Sequence, residues 1–130
     1  MPALALNHYT IRVRDLEATR TFYEDIVGLK VGERPPLPFP GHWLYCGGGP
    51  VVHLIGKRPG DPPIEGTPEA GRLDHIAFSA ENLAAMRERL KAARISFQER
   101  VLPRVNMTQL FFKDPDGINI ELNFPAEETV

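Results

Sequence analysis

Leu6-Asn7-His8-Tyr9-Thr10-Ile11-Arg12-Val13 is answered 67 residues later by Leu73-Asp74-His75-Ile76-Ala77-Phe78-Ser79-Ala80. The two histidines coincide. In each copy apolar residues recur at every second position after the histidine, the period of a half-buried strand. A repeat of this length in a 130-residue chain means two copies of one supersecondary unit.

Each strand runs on into a stretch of helical period, Asp15 to Val27 in the first copy and Asn82 to Ala93 in the second. Asp15 and Asn82 stand where N-caps belong, each followed by an apolar residue, Leu16 or Leu83. In the second helix Leu83, Met86, Leu90 and Ala93 form one apolar stripe, with Arg87, Glu88 and Lys91 outside it. Gly28 closes the first helix as a left-handed terminal residue would.

The last strand of each copy is equally legible: Val51-Val52-His53-Leu54-Ile55 and Asn119-Ile120-Glu121-Leu122-Asn123-Phe124, with His53 and Glu121 68 residues apart. Turn residues precede both, Gly47-Gly48-Gly49-Pro50 and Asp114-Pro115-Asp116-Gly117. Each half therefore reads strand, helix, three strands. Four prolines and four glycines between Gly56 and Arg72 mark an exposed connection. The expected fold is α+β, a single domain over 1–130 with one βαβββ module at about 4–56, a linker at 57–71 and a second module at about 72–125. Helices covering one face of each sheet would leave the other faces paired as a curved, cup-shaped mixed sheet.

Alternation assigns side chains to that cup. Tyr9, Ile11 and Val13 face the helix, so His8, Thr10 and Arg12 face away; Ile76 and Phe78 do the same for His75 and Ala77. Ile120, Leu122 and Phe124 leave Asn119, Glu121 and Asn123 together. Val52 and Leu54 point away from His53, which shares its side with Val51 and Ile55. A lone strand histidine is usually a satisfied or solvent-facing side chain. Three histidines and a carboxylate on equivalent strands of a repeat are the donor set of a first-row divalent metal: Zn, Ni, Co, Mn or Fe(II).

The remaining features are weaker. Arg12, Thr10, Arg104, Asn106 and Gln109 are candidates to grip an anionic substrate, against a plain reading as polar surface. His42 is expected to be non-ligating and Cys46 a buried structural thiol without a partner. Phe39, Trp43 and Phe111 could wall an apolar pocket, although aromatic residues more often form core. The glycine run lacks the frame of a phosphate loop.

Bulk properties narrow the function. A net charge of −2 and a pI near 6.1 provide no footprint for nucleic acid or an anionic membrane. No apolar run approaches the ~20 residues that cross a bilayer, and the N-terminus lacks a signal pattern, so a cytoplasmic location is expected. At 14.6 kDa the chain can bury roughly two-thirds of its unfolded surface without a disulfide.

The first strand with His8, the Phe22-Tyr23 to Val27-Gly28-Leu29 helix ending, His53-Leu54-Ile55, Asp74-His75-Ile76-Ala77-Phe78 and Leu110-Phe111-Phe112-Lys113-Asp114-Pro115-Asp116-Gly117 to Ile120-Glu121-Leu122 together resemble the vicinal oxygen chelate superfamily. It includes glyoxalase I, extradiol dioxygenases, fosfomycin-modifying thiol transferases, methylmalonyl-CoA epimerase and bleomycin-resistance proteins. The resemblance implies one divalent metal ion in the cup, held by His8, His75 and Glu121, a small-molecule substrate, and commonly a homodimer. His53 falls where glyoxalase I usually presents a glutamate and the epimerase a glutamine, which leaves it as a fourth ligand or a proton carrier. Glu121 and His53 are then the catalytic candidates of a glyoxalase I-type lyase or isomerase whose substrate chelates the metal through adjacent oxygens. The alternatives are ring-cleaving dioxygenase, thiol transferase and metal-free binding protein.

Overall fold

Apolar alternation in the first repeat yields β1 (Tyr9–Arg12), and Asp15 starts α1 (Leu16–Phe22) by accepting the Ala18 N–H at 3.1 Å. A computed structural model of the chain describes residues 3–64, 73–103 and 107–125. It divides into two compact units, Met1–Gly66 and Thr67–Val130.

In the first unit a π-helical turn, Tyr23–Val27, follows α1, then β2 (Lys30–Gly32), β3 (Gly41–Cys46) and β4 (Gly49–Ile55). The strands lie in the order β1-β4-β3-β2. β1 runs parallel to β4 and the other pairs are antiparallel. Ile11, Val13, Leu44, Val52 and Leu54 are buried together with Phe22, Tyr23 and Ile26 from the helical segment.

The second unit repeats the plan: β5 (Ile76–Ser79), α2 (Leu83–Ala92), β6 (Gln98–Leu102), β7 (Met107–Lys113) and β8 (Asn119–Phe124), ordered β5-β8-β7-β6. β5 runs parallel to β8. The repeat extends to single hydrogen bonds. The N–H of Val13 donates to the Ile55 carbonyl at 3.0 Å, and Ala80, its counterpart, donates to Asn123 at 2.9 Å. Leu110, Ile120, Leu122 and Phe124 are almost fully buried, as are Leu83, Met86 and Leu90 on α2. The β7–β8 turn is tied by Asp114, whose Oδ1 accepts the N–H groups of Asp116 and Ile118 at 2.8 Å, and Gly117 closes it at φ 84°.

The α+β class and the βαβββ order of each half are as expected; three local details differ. The first helix is not α-helical to Val27: its last turn widens, and the N–H groups of Gly28 and Leu29 both donate to the Tyr23 carbonyl at 2.9 Å. Over one turn, buried residues at 22, 23 and 26 fit either pitch, so periodicity could not separate them. Asn82 precedes α2 with left-handed geometry (φ 68°) and makes no side-chain cap, which requires an extended backbone. Ala93 is the exposed C-cap and not part of the buried stripe.

Candidate metal centre

In the first unit His8 immediately precedes β1, and His53 lies opposite Thr10 in the parallel β1–β4 ladder. Their rings stack with centroids 3.8 Å apart and planes 12° from parallel. The other face of His53 is covered by Trp43, its cross-strand neighbour on β3, at 4.2 Å and 11°. His42, one residue earlier, faces the opposite side and donates from Nε2 to Oε2 of Glu17 on α1 at 2.8 Å.

The ring nitrogens are sorted by their partners. His8 Nδ1 donates to Oδ1 of Asn7 at 2.7 Å, leaving the Nε2 lone pair free. His53 donates from Nε2 to the Pro50 carbonyl at 2.9 Å, leaving Nδ1. Burial lowers the His53 pKa, the neighbouring His8 and Arg34 push in the same direction, and the Pro50 carbonyl opposes them. At neutral pH this ring is a neutral base.

In the second unit His75 immediately precedes β5, and Glu121 lies opposite Ala77, the position that matches His53 opposite Thr10. His75 Nδ1 donates to Oδ2 of Asp74 at 2.8 Å, as His8 does to Asn7. That bond leads the causes that raise the His75 pKa, with the charges of Glu121 and Asp74 adding and desolvation opposing. His75 Nε2 then stands 3.4 Å from Oε1 of Glu121. Glu121 is 9% exposed, and its Oε2 accepts from Gln109 Nε2 at 3.2 Å and Asn123 Nδ2 at 2.9 Å.

The substrate candidates are dispersed. Thr10 is exposed on β1. Arg12 folds back to donate to the Pro62 carbonyl at 2.8 Å, 4.0 Å from Asp61, and lines a cavity of about 370 Å³ with Arg14, Lys57 and Ile64. Gln109 is buried, its amide engaged by Glu121, Asn123 and Arg100. Arg104 and Asn106 lie outside the described residues. Cys46 is half-buried at the end of β3, where an interior position was expected, because the adjacent Gly47-Gly48 turn opens it to solvent.

The donor chemistry fits a divalent cation. Histidines that bind metals anchor one ring nitrogen on an acceptor and bind through the other, the arrangement of both Asn7–His8 and Asp74–His75. In its neutral form His75 turns a lone pair toward a carboxylate oxygen, and ligand atoms about 2.0–2.2 Å from a first-row ion lie about 3.0–3.4 Å from each other. The second unit presents one such pair, His75 with Glu121; in the first unit His8 and His53 are instead stacked face to face, their lone pairs lying in nearly parallel planes. Among the described residues no three His, Cys, Asp or Glu side chains gather as an ion would require.

Residues 5–122 match the model of the Glyoxalase/Bleomycin resistance protein/Dioxygenase superfamily. The chain belongs to this superfamily. Its relatives include Glyoxylase I 4 of Arabidopsis thaliana, 29% identical over 91% of this chain and 69% of that protein. The mitochondrial methylmalonyl-CoA epimerase of Homo sapiens is 33% identical over 90% and 72%. In fold the chain is similar to the glyoxylase/bleomycin resistance protein/dioxygenase domain from Frankia sp. EAN1pec, at a TM-score of 0.73, 25% identity, and 95% and 99% coverage. Members of the superfamily commonly bind a divalent metal.

Sequence reading missed the residues that orient the donors. Asn7 and Asp74 carried a usable signal, since an Asx residue precedes the histidine in both copies of the repeat. Trp43 carried none, because its place over His53 depends on the β3–β4 register.

Proposed function

We propose that the chain is a metal-dependent lyase or isomerase of the glyoxalase I type, acting on a small substrate that chelates a divalent cation through two adjacent oxygens. The observation that carries this reading is the matched anchoring of His8 and His75, each held at Nδ1 by the preceding side chain, with His75 Nε2 set 3.4 Å from Oε1 of Glu121. In the proposal His8, His75 and Glu121 hold the cation, completed within one chain or between two copies, and His53 is the fourth ligand or the proton carrier. When bound, the cation supplies a Lewis acid that draws charge onto a substrate oxygen. His53 takes a proton at Nδ1 from the carbon beside that oxygen and returns it; its lowered pKa keeps it in the basic form. The stack of His8 and Trp43 fixes its plane, so the base does not have to be ordered during the reaction. Thr10 and Arg12 are the substrate contacts assigned to the first unit, and Arg104 and Asn106 those assigned to the second. The working form in this reading is a cytoplasmic homodimer.

One observation favours a second reading. His53 commits Nε2 to the Pro50 carbonyl, and two histidines plus one carboxylate with open positions suit Fe(II) and a ring-cleaving dioxygenase. Incubation of metal-loaded protein in D₂O with hydroxycarbonyl and methylmalonyl thioester substrates, beside oxygen uptake with catechols, separates the two. Deuterium entering the carbon next to the carbonyl supports proton transfer. Oxygen consumption without such exchange would refute it.

A further inference from the structure

Glu121 uses its two carboxylate oxygens differently. Oε1 faces His75, while Oε2 is occupied by two amide donors, Gln109 Nε2 at 3.2 Å and Asn123 Nδ2 at 2.9 Å. The two amides are also joined, Gln109 Nε2 donating to Asn123 Oδ1 at 2.9 Å. Behind Gln109 stands Arg100, whose Nε and Nη2 donate to Gln109 Oε1 at 3.3 and 3.2 Å. The guanidinium lies 5.3 Å above the ring of Phe111. Strand register lines these residues up: Arg100 is opposite Gln109, Gln109 is opposite Asn123, and Phe111 is opposite Glu121.

The network has one direction only. Arg100 has donors alone, so the oxygen of the Gln109 amide must face it and the NH₂ must face the carboxylate; the same logic then orients Asn123. Flipping either amide would set oxygen against oxygen in a site where Gln109 is 8% exposed. Strand pairing alone would not need this. The backbone of β6, β7 and β8 is already bonded, and apolar side chains would fill the same row.

We propose that Gln109 and Asn123, braced by Arg100, are positioning residues that hold Oε2 of Glu121 and leave Oε1 as the single oxygen offered to the cation. The proposal rests on the metal-dependent reading above. It also gives Gln109 a task other than substrate contact. Removing the clamp releases Oε2, so that Glu121 can rotate or bind the ion through both oxygens. Orienting partners of this kind change metal affinity by about 10–100-fold.

The test is titration of metal-free wild-type protein and of Gln109→Leu, Asn123→Ala and Glu121→Gln with Co²⁺ alone, followed by the visible absorption of the bound ion, which weakens as coordination number rises. The expected result for Gln109→Leu is Co²⁺ binding about 10–100-fold weaker with a weaker band, while thermal unfolding of the metal-free protein stays cooperative. Asn123→Ala, at a half-buried position, should change affinity and spectrum in the same direction and carries the comparison if Gln109→Leu does not fold. Wild-type binding that Glu121→Gln abolishes, with affinity and spectrum unchanged in both clamp variants, would overturn the clamp and leave the metal reading standing. Wild-type protein that takes up no Co²⁺ would overturn both.

Discussion

His53 lies face to face with Trp43, ring centroids 4.2 Å apart and planes 11° from parallel. The antiparallel register of β3 and β4 sets them directly opposite each other, and His8 closes the far side of the imidazole at 3.8 Å. A ring held between two others keeps one plane, and only its edge is presented to a ligand.

The contact has a measurable energy. Aromatic pairs of this geometry contribute about 0.5–1.5 kcal/mol beyond their area burial. A double-mutant cycle with Trp43→Leu and His53→Leu, read by urea unfolding, should return a coupling of that size. A coupling indistinguishable from zero would show that the rings do not stack in solution.

Glu121 is expected to be needed for metal but not for folding, since the carboxylate lies on the sheet face opposite the buried Ile120 and Leu122. Glu121→Ala should lose at least about 100-fold in metal affinity, more than an orienting residue costs, with an unchanged circular dichroism spectrum. Full metal occupancy in the purified variant, measured by elemental analysis, would remove Glu121 from the ligand set.

The interior of the second unit should respond to lost volume. Leu110 on β7 is 0% exposed, and Leu110→Ala should cost about 2–5 kcal/mol through lost transfer free energy and the cavity left behind. Chemical denaturation checks this. A loss under about 1 kcal/mol would place Leu110 at a site that collapses or admits solvent.

One acid-side effect follows from Arg87 on α2, which donates to both carboxylate oxygens of Glu99 on β6 at 2.8 and 2.6 Å. Those bonds are the leading cause that holds the Glu99 pKa below its ordinary 4.5; burial opposes them, and the charges of Arg87 and Lys91 add. A carboxylate whose pKa is lower in the folded state contributes stability that is complete above the unfolded value and lost as pH falls through the folded one. Glu99→Gln should therefore cost up to about 1 kcal/mol near neutral pH, as expected of a partly exposed pair. The difference from wild type should shrink as pH falls through the lowered folded-state value and vanish at a pH below it. A gap that persists unchanged at that pH would show that the pair's charge is not its source.

Much of the architecture was legible because strands and repeats leave local traces. Ile11 and Val13, Val52 and Leu54, and Ile120, Leu122 and Phe124 announce their buried faces by alternation, and the nearly equal spacing of His8 with His75 and His53 with Glu121 shows the duplication. The widened turn at Tyr23–Val27 left no such trace, because a single turn contains too few residues to distinguish two pitches. Asn82 holds the N-cap position of α2 as expected but makes no side-chain cap, because a residue type does not report its own backbone dihedral.

By itself the sequence determined the duplicated βαβββ plan, the sidedness of its strands and the matched places of His8 with His75 and of His53 with Glu121, all consequences of spacing along one chain. Tertiary structure alone decided that His53 commits Nε2 to the Pro50 carbonyl, that Trp43 covers its ring, and that Asn123 and Gln109, the latter braced by Arg100, converge on one oxygen of Glu121. Those relationships join residues on neighbouring strands or across turns. They depend on register and rotamer, which are set when the strands pair and the interior closes.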